Sequence, residues 1–218
     1  TKQLYSLVIE GQCLLTSAST AELVKLTENA YRDVNIAFAN ELSMVSDKKG
    51  VDVWEVIQLA NRHPRVDILN PGPGVGGHCI AVDPWFIVDE AQNETQLIQS
   101  AREVNSKKPQ YVIDQILTAT KASGSSAIAC LGLTYKADID DLRGSPAVAI
   151  THELSKQFDG EILVVEPHIN ELPKILRNNV GIRIVNIQNA IKKANVLTVL
   201  VDHKQFKELD PSFFKNKI

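Results

Sequence analysis

A cysteine ends a loop of unusual composition, and its residue type and surroundings suit covalent chemistry. Residues 61–79 are rich in glycine and proline, and the last nine read PGPGVGGHC, with Cys79 at the end. Loops of this length in compact domains are usually functional, and glycines let the backbone approach a ligand closely. A thiolate can attack an aldehyde to give a thiohemiacetal, which a hydride acceptor oxidises to a thioester. Cys79 is therefore the first candidate for a nucleophile.

Other interpretations of this loop stay open. Gly72, Gly74 and Gly77 formally match the G-x-G-x-x-G pattern of dinucleotide-binding turns, but no strand is predicted before them and no helix directly after them. The loop could also be purely structural, with a passive cysteine. A His78–Cys79 dyad of a thiol hydrolase is disfavoured, because adjacent side chains in an extended turn point apart.

Asp83 follows the cysteine by four residues. Its carboxylate could orient or activate a water molecule that hydrolyses a thioester. The pair Asp83-Pro84 is also typical of a helix start, with Asp83 as the N-cap. Both roles are compatible, and we keep both as predictions.

The remaining cysteines, Cys13 and Cys130, lie in apolar runs, and we expect both to be small buried hydrophobic residues. Three cysteines without a C-x-x-C pair fit neither a disulfide framework nor a thiolate metal site. We therefore expect a reducing, cytoplasmic setting and no metal.

A polar stripe lies on a predicted helix. Lys25, Asn29 and Arg32 stand at i, i+4 and i+7, which places them on one face. A solvated face is the ordinary explanation, but an asparagine between two cations also suits an oxyanion or a diphosphate, since an amide donates without a counter-ion. His63 and Arg65 in the loop would extend the same anion-binding surface.

The helix that carries this stripe is predicted over residues 19–49, with Ser19 or Thr20 as its N-cap. Its length of about 45 Å exceeds what a domain of about 100 residues needs. We therefore expect part of its apolar surface to meet a second copy of the chain. Shorter helices are predicted over 52–61, 85–91 and 94–122.

The second part of the chain has a different pattern. Residues 127–133 form a continuous apolar run, which is typical of a strand buried on both faces. Further strands are predicted over 161–165, 182–185 and 196–201, alternating with helices over 146–158, 172–177 and 187–193. This alternation predicts a parallel sheet with right-handed crossovers. We expect an α/β protein with an all-helical domain at 1–122 and a Rossmann-like parallel-sheet domain at 123–218.

Ligands of such sheets bind beyond the carboxyl ends of the strands. Lys136, just after the first strand, is a candidate for binding a diphosphate, and Arg143 is another. The residues at the three strand ends are Tyr135 and Lys136, then Glu166 and His168, and finally Asp202 and His203.

Composition excludes several classes of protein. Apolar residues make up 44% and charged residues 22% of the chain, which is typical of a folded soluble domain. The net charge of −3 is too small to predict binding to nucleic acid or to a charged membrane surface. No apolar run approaches the roughly 18 residues that a membrane span needs.

Four segments together resemble the UDP-glucose/GDP-mannose dehydrogenase family. The resemblance covers nearly the whole chain in order, and the G-G-H-C loop combined with the K-x-x-x-N helix is specific to the family. The segments are TAELVKLTEN (20–29), NRHPR (61–65), PGPGVGGHCIAVDP (71–84) and YKADIDDLR (135–143).

The resemblance implies oxidation of the C6 alcohol of a UDP-sugar to a carboxylate, with two NAD molecules used in succession. It implies that Cys79 is the nucleophile and that Lys25 is the general acid/base and stabilises the oxyanion. Asn29 would be a second oxyanion donor, and Asp83 the partner of the hydrolytic water. The expected substrate is UDP-N-acetyl-D-mannosamine, with UDP-N-acetylglucosamine or UDP-glucose as alternatives, and the acid would feed polysaccharide synthesis.

The resemblance also implies binding roles and a homodimer. The long helix would form the dimer core, and Arg65 would reach the neighbouring subunit's site. Arg143 matches a position near the cofactor. The positions that match substrate contacts are Arg32, His63, Arg65, Gly76, Tyr135 and Lys136.

Members of the family open with a strand, a glycine-rich turn and a helix that bind NAD, and this sequence contains no such segment. We therefore expect a fragment of an enzyme about twice as long, without the NAD-binding domain and short of the last strand. Such a fragment is not expected to turn over substrate alone. A non-catalytic module that binds a nucleotide sugar or forms a dimer is the alternative from another class.

Overall fold

The computed structural model describes residues 2–218 and begins with helices only. Within this range, no helix combines the length and the apolar character needed to cross a bilayer. The helices are α1 (Lys2–Tyr5), α2 (Ala18–Lys49), α3 (Val53–Ala60), α4 (Asp83–Glu90) and α5 (Gln96–Ser123).

The longest helix, α2, has 32 residues and a length of about 48 Å. Its N-cap is Ser17, whose hydroxyl oxygen accepts the backbone N–H of Thr20 at 3.1 Å. The prediction of Ser19 or Thr20 as the cap was wrong, because Ser17 satisfies the first free N–H two residues earlier. At the other end, Gly50 adopts a left-handed conformation with φ of 68° and stops the helix.

Alternating strands and helices follow α5. The four strands form one parallel sheet in the order β3-β2-β1-β4. The elements are β1 (Ala127–Leu131), α6 (Pro146–Gln157), β2 (Glu161–Val165), α7 (Lys174–Arg177), β3 (Ile182–Ile184), α8 (Ile187–Lys193), β4 (Val196–Val199), α9 (Lys204–Lys207) and a 3₁₀ turn at Pro211–Phe214.

The predicted α/β class, with helices first and a parallel sheet after them, is confirmed. All five residues of β1 are buried, as its apolar run predicted. The strand is two residues shorter than predicted, because Gly132 turns the backbone with φ of 92°.

The helical part and the sheet share a core. Ile113 and Ile116 of α5 lie in the same buried cluster as Ile128 of β1 and Ile150 of α6. The second half of α5 is thus a support for the sheet, while its first half packs along α2. The loop that carries Cys79 lies where these parts meet.

Candidate active site

The glycine loop is seated between the helical part and the sheet domain. Its first anchor is the backbone N–H of Gly72, which donates to the Asn40 side-chain oxygen at 2.9 Å. Gly74 then passes between Pro109 of α5 and Pro146 of α6, and a Cβ at this position would come within 3.1 Å of each proline ring. The loop therefore contacts both parts of the chain.

The next two glycines explain why side chains are excluded from this turn. A Cβ at Gly76 would stand 2.6 Å from Cδ of Pro146 and 2.9 Å from Cβ of Tyr135. Gly77 has φ of 82°, and its Cβ would lie 3.1 Å from the Tyr135 ring. The structure thus brings together Gly76 and Tyr135, which are 59 positions apart in the sequence.

Cys79 is the exposed member of the three cysteines, all of which the structure describes. Its carbonyl oxygen accepts the N–H groups of Val82 and Asp83 at 3.0 and 2.8 Å, so the cysteine begins the turn that leads into α4. Cys130 is fully buried, and burial raises the pKa of its thiol to about 12, as expected for an inert residue. Cys13 is only half-buried, so its prediction as a buried residue was wrong.

Asn29 and Asp83 form a direct pair. The Asn29 side-chain amide donates to Oδ2 of Asp83 at 2.5 Å, and Asn29 is only 4% exposed. The residue in the N-cap position of α4 is Val82, with no side-chain cap. The predicted N-cap role of Asp83 was wrong, because its carboxylate turns towards α2 and not back onto its own helix. A primary amide has two N–H groups, so Asn29 can hold Asp83 and still donate to a substrate oxygen.

Lys25 lies one turn before Asn29 on α2 and is exposed. Its ammonium nitrogen is 3.4 Å from Oε2 of Glu28, with both side chains more than half exposed. Such a pair contributes little to stability, so it can open at small cost. Arg32, two turns beyond Lys25, is exposed on the same helix.

A second charged group lies beside the glycine loop. Arg143 binds Asp141 in a bidentate pair, with Nη2 to Oδ2 at 2.6 Å. This arginine lowers the pKa of Asp141 to about 2, with a smaller effect from the nearby His78 imidazole. Tyr135 joins the same turn, since its N–H donates to the Asp141 carbonyl at 3.0 Å. The charge of Arg143 is thus partly neutralised within the turn.

Three predicted substrate contacts remain apart from this cluster. His63 and Arg65 are exposed, and their contact is local, from the Arg65 N–H to Nδ1 of His63 at 3.3 Å. Lys136 is exposed beyond the end of β1. Among residues 2–218, no hydrogen bond joins these three side chains to the loop 71–79.

The carboxyl end of β1 does not fit the phosphates of NAD. The N–H groups of Leu133 and Thr134, which such a turn would offer to a phosphate, donate to Oε2 of Glu166 at 2.6 and 3.3 Å. The buried His203 supports this carboxylate, with Nε2 at 3.2 Å from the same oxygen, while its Nδ1 accepts the Asp138 N–H. The described residues therefore do not form a dinucleotide site at this turn.

Asn40, which anchors the glycine loop through Gly72, was not among the candidates from the sequence. It lies eleven residues after Asn29, on the face of α2 that is buried against α5. The signal was present in the spacing: Asn29, Asp33 and Asn40 stand at i, i+4 and i+11, on one side of the helix. A polar residue at a buried helical position needs a partner, which the apolar periodicity alone does not reveal.

Comparison with known proteins identifies the family of the chain. The model of the UDP-glucose/GDP-mannose dehydrogenase family, central domain, matches residues 19–107, and the UDP-binding domain of the same family matches 129–218. An NDP-N-acetyl-D-galactosaminuronic acid dehydrogenase of Ralstonia nicotianae is 54% identical over 100% of this chain and 51% of its own length. A UDP-N-acetyl-D-mannosamine dehydrogenase of Campylobacter jejuni is also 54% identical, over 95% of this chain and 51% of its own.

A solved structure shows the same fold. The UDP-N-acetyl-mannosamine dehydrogenase of S. aureus superposes with a TM-score of 0.84 at 42% identity, over 99% of this chain and 50% of that protein. The chain thus spans about half the length of the relatives that it matches. With both family domains matched in order across its length, the chain belongs to the UDP-glucose/GDP-mannose dehydrogenase family.

Proposed function

We propose that these residues form the catalytic and UDP-binding part of an NAD-dependent dehydrogenase that oxidises C6 of a UDP-N-acetylhexosamine to a carboxylate. The observation that carries the proposal is the exposed Cys79 at the end of a packed glycine turn, followed four residues later by Asp83 in contact with Asn29. The two curated relatives reported above are named as N-acetylamino-sugar dehydrogenases, which supports this substrate class.

The residues divide the chemistry among them. In the first oxidation the C6 alcohol gives up a hydride, and Lys25, the general acid/base, accepts the hydroxyl proton, which leaves the aldehyde. The Cys79 thiolate then adds to this aldehyde, so that a C–S bond forms, the C=O π bond opens and the carbonyl oxygen becomes an oxyanion. The Asn29 amide donates to that oxyanion, and Lys25 protonates it. After oxidation to the thioester, Asp83 accepts a proton from the attacking water, and the C–S bond breaks to release the acid and the thiol.

NAD supplies the acceptor for the two hydrides. Because Glu166 occupies the N–H groups at the end of β1, we place the cofactor site on residues outside this chain. Arg143, beside the glycine loop, is the contact that this chain would offer to the cofactor.

The UDP group is assigned to the surface between the glycine loop and the end of β1. Tyr135 packs on Gly77 there, and Lys136 is exposed without an acidic partner among residues 2–218. A free ammonium next to a tyrosine suits a diphosphate. Arg32, His63 and Arg65 would complete substrate binding from the helix, the loop or a second subunit.

A homodimer through α2 is part of the proposal. Val24, Tyr31, Phe38 and Val45 are all exposed and recur at intervals of seven residues. A heptad spacing of apolar residues on a straight helix is the pattern that packs against another helix. The natural partner for a self-complementary stripe is the same helix of a second copy.

The proposal is tested by assaying the full-length protein with NAD⁺ and a panel of UDP-sugars. We expect the greatest turnover with UDP-N-acetyl-D-mannosamine, relative to UDP-N-acetylglucosamine, UDP-N-acetylgalactosamine and UDP-glucose. Cys79→Ala should abolish acid formation, while the matched Cys13→Ala should leave it unchanged. Undiminished acid formation by Cys79→Ala, or no reduction of NAD⁺ with any of the sugars, would refute the assignment.

A further inference from the structure

The geometry points to Asn40 as a positioning residue for the Cys79 loop: α2 holds the loop at both ends through two buried asparagines three turns apart. This inference rests on the proposed function, because it assigns Asn40 to the orientation of the nucleophile. Asn40 touches neither Cys79 nor, by this account, the substrate, and it acts through the backbone of Gly72.

The far end of the loop is tied to α2 through Asn29. The backbone carbonyl of Cys79 accepts the N–H groups of Val82, the N-cap of α4, and of Asp83, its first residue. The Asp83 carboxylate in turn accepts a hydrogen bond from the Asn29 amide. The near end is tied through Asn40, eleven residues further along α2, which corresponds to about 16 Å along the helix axis. The loop is therefore stretched over one face of α2 between two fixed points.

The bond from Gly72 to Asn40 has no substitute. Among the hydrogen bonds of residues 2–218, it is the only one made by the backbone of 71–78. Gly74, Gly76 and Gly77 also lie close to proline and tyrosine side chains, since a Cβ added at any of them would come within 3.1 Å of one. Such close approach limits how near the loop backbone can come to these rings. The hydrogen bond of 2.9 Å from Gly72 to Asn40 also fixes the orientation of the Gly72 peptide group.

The orientation of the Asn40 amide is itself determined. Its Oδ1 accepts from Gly72 at 2.9 Å, and its Nδ2 donates to Oδ1 of Asn105 at 2.8 Å. A flipped amide would set like atoms against each other at both contacts. Asn40 is completely buried, so water cannot replace either partner.

Behind Asn105 lies a buried ion pair. The Asn105 amide donates to the backbone and side-chain oxygens of Asp33 at 3.0 and 2.8 Å, and Asp33 pairs with Arg102 at 2.6 Å. Burial raises the pKa of Asp33 in spite of the arginine, which shows that the site is costly for a charge. Replacement of a buried ion pair by well-packed apolar residues is often neutral or stabilising, so the need to hold α2 against α5 does not by itself explain the polar set. We explain the buried Asp33–Arg102 pair by its effect on orientation: it fixes the side-chain amide of Asn105, and Asn105 in turn fixes the amide of Asn40.

The first test compares Asn40→Ala with Ser43→Ala in the full-length enzyme. Ser43 lies on the same buried face, where its hydroxyl accepts from Lys108 at 2.6 Å and donates to the backbone carbonyl of Asn40 at 2.7 Å, but it does not contact the loop or the Asn40 side chain. We expect Asn40→Ala to lower kcat on the order of 100-fold, as a misplaced nucleophile does, with KM for the UDP-sugar changed less than about threefold. Both variants should lower the melting temperature by similar amounts, but Ser43→Ala should not show this loss of kcat.

A loop variant keeps the test valid if Asn40→Ala does not fold. Gly72→Pro removes the N–H and leaves the α2–α5 interface intact, whereas Gly72→Ala keeps the N–H, and its Cβ meets nothing closer than 3.9 Å. We expect a large loss of kcat for Gly72→Pro and a small one for Gly72→Ala. Equal kcat values for this pair, or a loss in Ser43→Ala equal to that in Asn40→Ala, would overturn the inference.

A readout independent of turnover separates this inference from the proposed function. The rate at which iodoacetamide alkylates Cys79 should change at least threefold in Asn40→Ala and in Gly72→Pro and stay constant in Ser43→Ala, with buried Cys130 as the unreactive internal reference. If the enzyme has no dehydrogenase activity and these rates still differ, the proposed function fails and the positioning stands. If the rates are equal in all variants, the positioning is refuted whatever the activity.

Discussion

At the scale of single residues, the candidate site depends on glycines, which have no side chain, as much as on its polar side chains. Cys79 is presented by a turn in which Gly76 and Gly77 pack directly against Tyr135 and Pro146. Asp83 and Asn29 form a pair that neither helix makes by itself. The Asn29–Asp83 pair thereby holds the start of α4, four residues after the exposed Cys79.

Substitution of Gly76 should lower kcat more than substitution of Gly72 in the same loop. In Gly76→Ala, the added Cβ would overlap Cδ of Pro146 at 2.6 Å, so the turn must shift. A shift of about 1 Å costs on the order of 100-fold in rate, measured as kcat of the full-length enzyme. Gly72→Ala, in which the nearest atom is 3.9 Å away, is the matched control and should lose less than about threefold. Equal kcat values for the two variants would show that the turn is not tightly seated.

At the scale of elements, α2 is used on two sides. One face carries Asn29 and Asn40, which hold the loop, with Lys25 and Arg32 at its border. Elsewhere on the helix, the exposed stripe that includes Tyr31 and Phe38 has no partner among residues 2–218. A helix of this length can therefore serve the site and the proposed dimer together.

A charged residue introduced into the exposed apolar stripe of α2 should dissociate the proposed dimer. We expect Phe38→Glu to reduce the mass of the 218-residue chain in solution from a dimer to the 24.0 kDa monomer, because a buried unpaired carboxylate opposes association. Light scattering coupled to size exclusion measures this mass. Val180→Glu, the same type of change at a residue that is 98% exposed in the sheet domain, is the control. A dimer that persists in Phe38→Glu, or a monomeric parent chain, argues against the α2 interface.

Elements with strong periodicity could be predicted from the sequence, and polar partners could not. The bounds of α2, α5 and the strands differ from the predictions by at most two residues, since the apolar repeats that specify them are local. The cap at Ser17 and the turn of Asp83 towards Asn29 depend on contacts that the local pattern does not contain. Residue type made Cys79 a candidate and spacing put Lys25 and Asn29 on one helical face, while their proposed roles came from the family resemblance. Asn40 could not be found in this way, because its role depends on the residues that face it.

At the scale of the whole molecule, a helical part and a parallel sheet share the core around Ile113 and Ile128. The glycine loop lies between them, and in the proposed function a substrate bound at the end of the sheet meets the cysteine at the end of this loop. Glu166 closes the end of β1 that a dinucleotide would need. The two halves of the proposed chemistry, sugar binding and hydride acceptance, are thus assigned to different parts of the protein.

This division predicts which nucleotides the 218-residue chain binds. Calorimetry should detect binding of UDP, and Lys136→Ala should weaken it about tenfold or more, through loss of a charge-assisted hydrogen bond. NAD⁺ at the same concentration should give no heat. Lys156→Ala removes an exposed lysine that is paired with Glu153 on α6, and it should leave UDP binding unchanged. Binding of NAD⁺, or the absence of UDP binding, would contradict the assignment of the sites.

The most direct test of the account is mass spectrometry of the enzyme during turnover. The full-length protein is mixed with UDP-N-acetyl-D-mannosamine and NAD⁺, quenched in acid and digested with trypsin. Peptide 66–102, which lies between Arg65 and Arg102 and contains Cys79, should carry the mass of the sugar acyl group. The fraction of modified peptide should be larger in Asp83→Asn, where hydrolysis is slow. Acid produced at normal rates without any adduct on Cys79, in both the wild type and Asp83→Asn, would contradict the covalent role of this cysteine.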